Sequence, residues 1–155
     1  MTDQAQVSQD SDEEVTQTFD IGTLTQPKAR VTYDVPVIFD KNGDAASGFR
    51  IVGKNSSEFQ DTFEAVRVEG VMKAGKRKAA LDTKTKDGAS MLVNIMKGNE
   101  DKLALAVVVD WFGFTDKGAP VPFDINMVAA MFKRYPTWRE RVTSALEDDG
   151  NFTPS

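Results

Sequence analysis

The sequence contains no cysteine and no histidine. Without cysteine, a disulfide framework, a thiolate nucleophile and a thiolate metal site are excluded. Without histidine, the side chain most often used for acid–base catalysis and metal binding is missing. No apolar run approaches the roughly 20 residues of a membrane-spanning helix, and the acidic N-terminus lacks the basic start of a signal peptide. We therefore expect no catalytic residue, metal, cofactor or membrane span, and a non-enzymatic protein that stays where it is made.

Charge is unevenly distributed along the 155 residues. Residues 1–20 hold six acidic side chains and no basic one, so the other 135 residues carry +1 while the whole chain carries −5. The few apolar groups of this acidic stretch cannot offset the entropy cost of ordering it. We predict a disordered, solubilising leader over residues 1–18, a single domain over residues 19–152 and a short tail over residues 153–155. Acidic mimicry of nucleic acid is the less favoured interpretation of the leader.

Alternation of apolar and polar residues from Arg30 to Phe39 predicts a half-buried strand. Pro36 cannot donate a hydrogen bond to a neighbouring strand, so this strand should lie at a sheet edge or bend there. The Asn42-Gly43 pair that follows is a strong hairpin signal, and residues 49–52 are predicted to form the returning strand. The expected fold class is α+β, with a small N-terminal β-hairpin or sheet followed by a bundle of about four helices.

Helical spacing predominates after the hairpin. Asn55 as N-cap and Glu58 have the arrangement of a capping box, which predicts a helix from about Ser56 onward. Its apolar face is predicted to contain Phe59, Phe63, Val66 and Val71. Residues 103–110 combine helix-favouring Leu and Ala with three consecutive valines, and we predict a buried helix there.

Two further helices are predicted near the C-terminus, after a Gly/Pro-rich turn at residues 113–122. Asp124 should cap the first of them. Pro136 should start the second, because proline is tolerated in a first helical turn and disfavours helical geometry at the preceding Tyr135. The predicted apolar positions of these helices are Ile125, Val128, Met131, Phe132, Trp138, Val142, Ala145 and Leu146.

Two segments resemble ligand-binding loops but are incomplete. Residues 70–77 have the spacing of a phosphate-binding loop, but Arg77 replaces the hydroxyl residue that binds magnesium. Asp110, after three valines, imitates the acidic metal ligand of such ATPases. Residues 40–44 have the acidic spacing that opens a calcium loop, but Ile51 occupies the position of the bidentate glutamate. A nucleotide-binding enzyme and a calcium site are therefore the less favoured interpretations.

Residues 67–86 hold seven Lys or Arg side chains against Glu69 and Asp82. Such a cluster can bind phosphates. It contains no aromatic side chain on which bases could stack, and the remaining sequence is nearly neutral. Nucleic-acid binding is therefore less favoured than a solvated helix face or contact with an acidic partner helix.

Aromatic residues concentrate near the C-terminus, in a characteristic order. Asp110-Trp111 follows an apolar segment, residues 118–123 read Gly-Ala-Pro-Val-Pro-Phe before a helix, Tyr135-Pro136 lies between helices, and Asn151-Phe152 comes near the end. In this order the sequence resembles the tail assembly chaperones of long-tailed bacteriophages, most clearly over residues 103–152. Each piece alone is common, so the resemblance depends on their order and spacing.

The aromatics near residue 113 are candidates for partner binding. Trp111 is expected mainly in the core, as are Phe123, Phe132 and Trp138. Phe112 and Phe114 flank a glycine and cannot both point inward from an extended segment that also buries Trp111. An exposed aromatic on a small domain usually marks a partner site. We predict that the partner-binding residues, or the buttresses of that surface, are Trp111, Phe112, Phe114 and Tyr135.

The resemblance implies a non-enzymatic protein of the host bacterial cytoplasm. Members of the family coat the tape measure protein, keep it soluble, help to recruit tail-tube subunits and are absent from the mature virion. Many members also have a frameshifted, longer form, and several copies are expected on each tape measure chain. The tail-tube protein and a second copy of this chain are further candidate partners. The alternative is a structural tail protein, tube-associated or a completion protein, that is retained in the virion.

Overall fold

This computed structural model describes residues 18–76 and 98–153. A separate N-terminal unit contains a short 3-10 helix, Ile21–Thr25, whose first turn is capped by the Asp20 carboxylate. The predicted leader, apart from residue 18, and the last two residues of the predicted tail lie outside the described residues. The second unit extends from Arg30 to Thr153 and contains the elements discussed below.

The second unit has an α+β fold, as predicted. Strands β1 (Thr32–Phe39) and β2 (Ala45–Val52) precede helix α1 (Ser57–Lys76) and helix α2, whose described part covers residues 98–107. The chain continues through the strands β3 (Val108–Phe112), β4 (Thr115–Asp116) and β5 (Ala119–Pro120), the helices α3 (Ile125–Arg134) and α4 (Pro136–Glu147), and a 3-10 helix (Asp149–Phe152).

The predicted hairpin is confirmed. β1 pairs antiparallel with β2, and Val35 faces Phe49 across the pair. In the connecting turn, one oxygen of the Asp40 carboxylate accepts hydrogen bonds from the backbone N–H groups of Asn42 (2.8 Å) and Asp44 (3.0 Å). This carboxylate therefore stabilises the turn, as in other Asx turns, and the segment is a hairpin connection.

The predicted helix over residues 103–110 is only half correct. The helix ends at residue 107, and residues 108–112 form β3, which pairs antiparallel with β2 to complete a sheet of order β1-β2-β3. Val108 and Val109 are β-branched and suit a strand, and the free edge of β2 supplies the hydrogen-bonding partner. Phe49 faces Trp111 in this pair, so the last strand of the sheet comes from a segment that follows two helices.

The core lies where α3 and α4 pack against the sheet. Phe49 and Ile51 are fully buried, and four helical side chains predicted as apolar positions, Val128, Phe132, Val142 and Leu146, are buried with them. The caps are also as predicted, since the Asp124 carboxylate accepts from the Asn126 N–H and Pro136 is the first residue of α4. Ile125, another of the predicted apolar positions, is 38% exposed at the start of α3.

The N-cap of α1 is Ser56, so the prediction of Asn55 was wrong by one residue. The Ser56 hydroxyl oxygen accepts a hydrogen bond from the Phe59 N–H at 3.1 Å. The Glu58 carboxylate forms an ion pair with Arg30 at 2.8 Å. Serine and asparagine are equally good caps, so the sequence alone does not distinguish adjacent candidates.

Replacing Ser56 with alanine is expected to lower the free energy of unfolding by about 1 kcal/mol, because it removes the hydrogen bond to the Phe59 N–H. Ser57→Ala is the matched control. Among the described residues, the Ser57 hydroxyl hydrogen-bonds to the neighbouring Glu58 carboxylate alone, at 3.3 Å. Its loss should change stability by less than about 0.5 kcal/mol. Urea denaturation followed by circular dichroism measures both, and equal losses would contradict the assignment of the cap.

Candidate functional site

Trp111, the first predicted partner-binding residue, is a core side chain. It is 7% exposed, and its indole nitrogen donates a hydrogen bond to the Val121 carbonyl oxygen at 2.9 Å. Its ring packs edge-on against Phe114 and Phe123, with centroids 5.2 and 5.4 Å away. Trp111 therefore ties the β4–β5 segment to the sheet and can act only as a buttress of a binding surface.

Phe114 and Tyr135 belong to a chain of aromatic contacts that starts at Trp111. The Phe114 ring lies 6.1 Å from the Trp138 ring, and the Trp138 ring stacks on Tyr135 at 4.4 Å. Tyr135 is 42% exposed, and the Arg134 guanidinium lies 5.7 Å from its ring centroid. Three of the four predicted residues are thus connected through Trp138, and only Tyr135 of the three is exposed.

Phe112 lies on the opposite face of the sheet. Successive side chains of a strand point to opposite faces, and Phe112 faces Gly48 on β2 while Trp111 faces Phe49. A side chain on Gly48 would begin 2.7 Å from the Phe112 ring, so glycine there allows the ring to lie across the strand. The structure therefore does not bring the four predicted residues together on one surface.

Charged side chains lie beside Phe112 on this outer face. Arg50 is placed between Asp34 and Asp110, with nitrogen–oxygen distances of 2.9 and 3.5 Å. The hydrogen bond that Arg50 donates to the Asp34 carboxylate, together with the negative charge of both acids, raises the pKa of Arg50 above its ordinary value. Asp110 is therefore a cross-strand ion-pair partner of Arg50 in this antiparallel sheet.

Helix α1 carries an apolar surface that the sequence interpretation missed. Phe59 is buried, but Phe63, Val68, Val71 and Met72 are between 45% and 70% exposed. The helix predicted from the spacing of Phe59, Phe63, Val66 and Val71 is present, but Phe63 and Val71 are exposed on it. Helical spacing shows which residues share a face but does not show whether another element covers that face. One signal in the sequence could have identified this surface. The apolar residues of α1 are spread around the helix, so a single buried face cannot contain all of them.

Lysine side chains from two helices meet at Glu69 on α1. Lys73, one turn later, lies 2.6 Å from one carboxylate oxygen, and Lys102 on α2 lies 3.3 Å from the other. These two hydrogen bonds, that of Lys73 first, hold the pKa of Glu69 below its ordinary value. Because the pair to Lys102 joins two helices, it reports on their packing.

Replacing Lys102 with methionine is expected to raise the pKa of Glu69 towards that of an ordinary glutamate. NMR titration of the side-chain carboxyl carbon measures this, with Lys133→Met on α3 as the control. A group with a lowered folded pKa stabilises the fold above its unfolded pKa, and that contribution is lost as the pH falls through the folded pKa. Any destabilisation by Lys102→Met should therefore be present at neutral pH and disappear in acid. An unchanged pKa would contradict the contact.

The incomplete phosphate-binding motif does not form a loop in the structure. Residues 70–76 are the last turns of α1, whereas a phosphate-binding loop requires a turn between a strand and a helix. Of the basic stretch, Arg67 and Lys73 form ion pairs with Glu64 and Glu69 within α1, and residues 77–86 lie outside the described part of the chain. Across residues 18–76 and 98–153, no group of three or more acidic side chains is arranged to hold a metal ion.

Comparisons with protein-family models, with curated proteins and with solved structures found no match for this chain. No helix among the described residues is long and apolar enough to cross a membrane. The candidate site has three features: a series of aromatic contacts that ends at exposed Tyr135, the Phe112 side chain on the outer sheet face, and the exposed apolar side chains of α1.

Proposed function

We propose that this protein is a phage tail assembly chaperone that binds the tape measure protein and keeps it soluble during tail morphogenesis. The observation that carries the proposal is the exposure of four large apolar side chains on α1, namely Phe63, Val68, Val71 and Met72. At 3.6 residues per turn, Val68, Val71 and Met72 lie on one side of α1 and Phe63 lies on another. Exposed apolar surface on a small domain usually marks an interaction site. The order of the Trp, Gly/Pro and Tyr-Pro signals over residues 103–152 supports the choice of the tape measure protein as the partner.

The physical task fits such a surface. A long amphipathic helix exposes apolar stripes that aggregate when nothing covers them. A small domain that offers apolar side chains at helical spacing can cover those stripes in the way that helical ligands are bound by apolar surfaces. Such contacts are reversible, so the chaperone can leave when tail-tube subunits assemble. Within this proposal the protein acts in the host bacterial cytoplasm, with the tape measure protein as its main partner and the tail-tube protein as a second.

The predicted aromatic residues can be tested within this proposal. We expect Tyr135→Ser to reduce the amount of tape measure protein that stays soluble with this chain, because Tyr135 is the exposed end of the aromatic contacts. Tyr33→Ser is the matched control, since Tyr33 is similarly exposed at 37% and lies on β1. Phe112→Ser and Phe114→Ser test the other two positions. If all these variants fold and solubilise the tape measure protein as well as the unaltered chain does, the site assignment is wrong.

Mass spectrometry of purified virions distinguishes a chaperone function from that of a structural tail protein. We expect peptides of this chain in assembly intermediates that contain the tape measure protein, and none in mature particles. A stoichiometric amount of this chain in mature virions would contradict the proposal and favour a tube-associated or completion protein.

A further inference from the structure

One face of α1 is apolar at its centre and acidic towards its N-terminal end. Ala65, Val68 and Met72 follow one another at spacings of three and four residues, which places them on the same side of a helix. All three are exposed, Val68 at 48% and Met72 at 60%. We call these three residues the α1 stripe. They line a shallow depression along the helix together with Asp61, Glu64, Glu69 and Lys73.

The charges beside the α1 stripe are not balanced along its length. Glu69, near the C-terminal end, is paired with both Lys73 and Lys102, so this end carries a net positive charge. Glu64 has one ion pair, to Arg67 at 3.1 Å on the same helix. No cation of the described residues lies within ion-pair distance of Asp61. The N-terminal half of the stripe therefore presents negative charge to whatever binds it.

The helix macrodipole does not account for these acids. Carboxylates are favoured within the first turn of a helix, and the effect falls off beyond it. Glu58 occupies the first turn of α1 and is already paired with Arg30. Asp61 and Glu64 lie one and two turns further along, beside exposed apolar side chains. An apolar centre with an acidic flank is complementary to a helix that carries Lys or Arg beside its own apolar residues.

We propose that the α1 stripe binds an amphipathic helix with basic residues along one side of its apolar face, with those cations next to Asp61 and Glu64. This inference rests on the proposed function, in which the helix is a segment of the tape measure protein. Apolar contact with Val68 and Met72 supplies most of the affinity, because burial of such side chains outweighs exposed ion pairs. The charges determine which helices bind and in which direction they lie.

Two synthetic helical peptides of about 20 residues test this, the first with Lys and the second with Glu beside identical apolar positions. Binding to the full chain is measured by fluorescence anisotropy at low salt. We expect the Lys peptide to bind about tenfold more tightly than the Glu peptide, a preference that salt weakens. Asp61→Lys combined with Glu64→Lys should reverse the preference, and Glu140→Lys on α4 is the charge control.

Serine substitutions test the apolar contacts of the α1 stripe separately from its charges. Val68→Ser combined with Met72→Ser should weaken binding of both peptides by about tenfold or more, whereas Met127→Ser on α3, which removes a similarly exposed methionine, should not. Circular dichroism checks that each variant is folded. The charge-reversal pair lies on the surface and tests the site even if the serine variants unfold.

Several results would overturn the inference. The inference is wrong if the two peptides bind with equal affinity, or if the α1 stripe variants bind them as the unaltered chain does. A lower mass in solution for the serine variants, without any change in peptide binding, assigns the stripe to a second copy of this chain instead. Failure of this inference can be distinguished from failure of the proposed function. If the chain solubilises the tape measure protein but binds neither peptide, only the assignment of the α1 stripe is refuted. If it binds the Lys peptide but not the tape measure protein, only the proposed function is refuted.

Discussion

Replacing Phe49 with alanine is expected to lower the free energy of unfolding by about 3–5 kcal/mol. Phe49 is fully buried, and its ring contacts those of Phe114, Phe132 and Trp138 at centroid distances of 5.3–6.2 Å. These neighbours come from the β3–β4 connection, α3 and α4, so they cannot all move inward to fill the space of the lost ring. Urea denaturation followed by tryptophan fluorescence measures the loss.

Phe63→Ala is the matched control for this prediction. Phe63 stacks on Phe59 at 5.8 Å but is 45% exposed on α1. Its replacement should cost about 1 kcal/mol or less, since a single exposed aromatic pair contributes little. Similar losses for the two variants would show that the core does not centre on Phe49.

Replacing Gly113 with alanine is expected to cost about 3 kcal/mol or more. Gly113 has a φ of +77°, and a β-carbon there would overlap the carbonyl oxygen of Ala46 and approach the Ser47 α-carbon to 2.9 Å. Both obstacles are backbone atoms of β2, so they cannot move aside as a flexible side chain can. The positive φ adds about 1–2 kcal/mol for an L-residue, and overpacking of this kind typically adds 1–3 kcal/mol.

Gly118→Ala distinguishes the cost of the positive φ from the cost of the steric overlap with β2. Gly118 also has a positive φ, +84°, but no atom of the described part of the chain lies within 4 Å of the position of its β-carbon. Its replacement should therefore cost only about 1–2 kcal/mol, from the backbone conformation. Thermal unfolding of both variants measures the difference. If Gly113→Ala is no more destabilising than Gly118→Ala, the close approach of residue 113 to β2 is not as described.

The parts of the fold that could be predicted from the sequence are those with local signals. Asn42-Gly43 indicated the hairpin, Asp124 indicated the start of α3, and Pro136 indicated the start of α4. Each of these residues acts through its own backbone conformation or through hydrogen bonds to residues next to it in sequence. Tertiary contacts therefore do not override them.

Features that depend on distant residues could not be predicted. Val108 and Val109 become strand because β2, more than 50 residues earlier, offers an unpaired edge. The buried state of Phe59 and the exposed state of Phe63 likewise depend on which elements cover α1. In the candidate site, alternation along the chain correctly separates Phe112 from Trp111. It could not show that Phe114, beyond Gly113, returns to the core beside Phe49.

If the proposed function is right, a phage encodes this chain, and the most direct test is its co-expression with the tape measure protein of that phage. The soluble fraction of the tape measure protein and its co-purification with this chain are measured, with expression of the tape measure protein alone as the reference. The account predicts a soluble complex that contains several copies of this chain on each tape measure protein, and aggregation when this chain is omitted. A tape measure protein that is equally soluble alone, or that does not co-purify with this chain, would contradict the account.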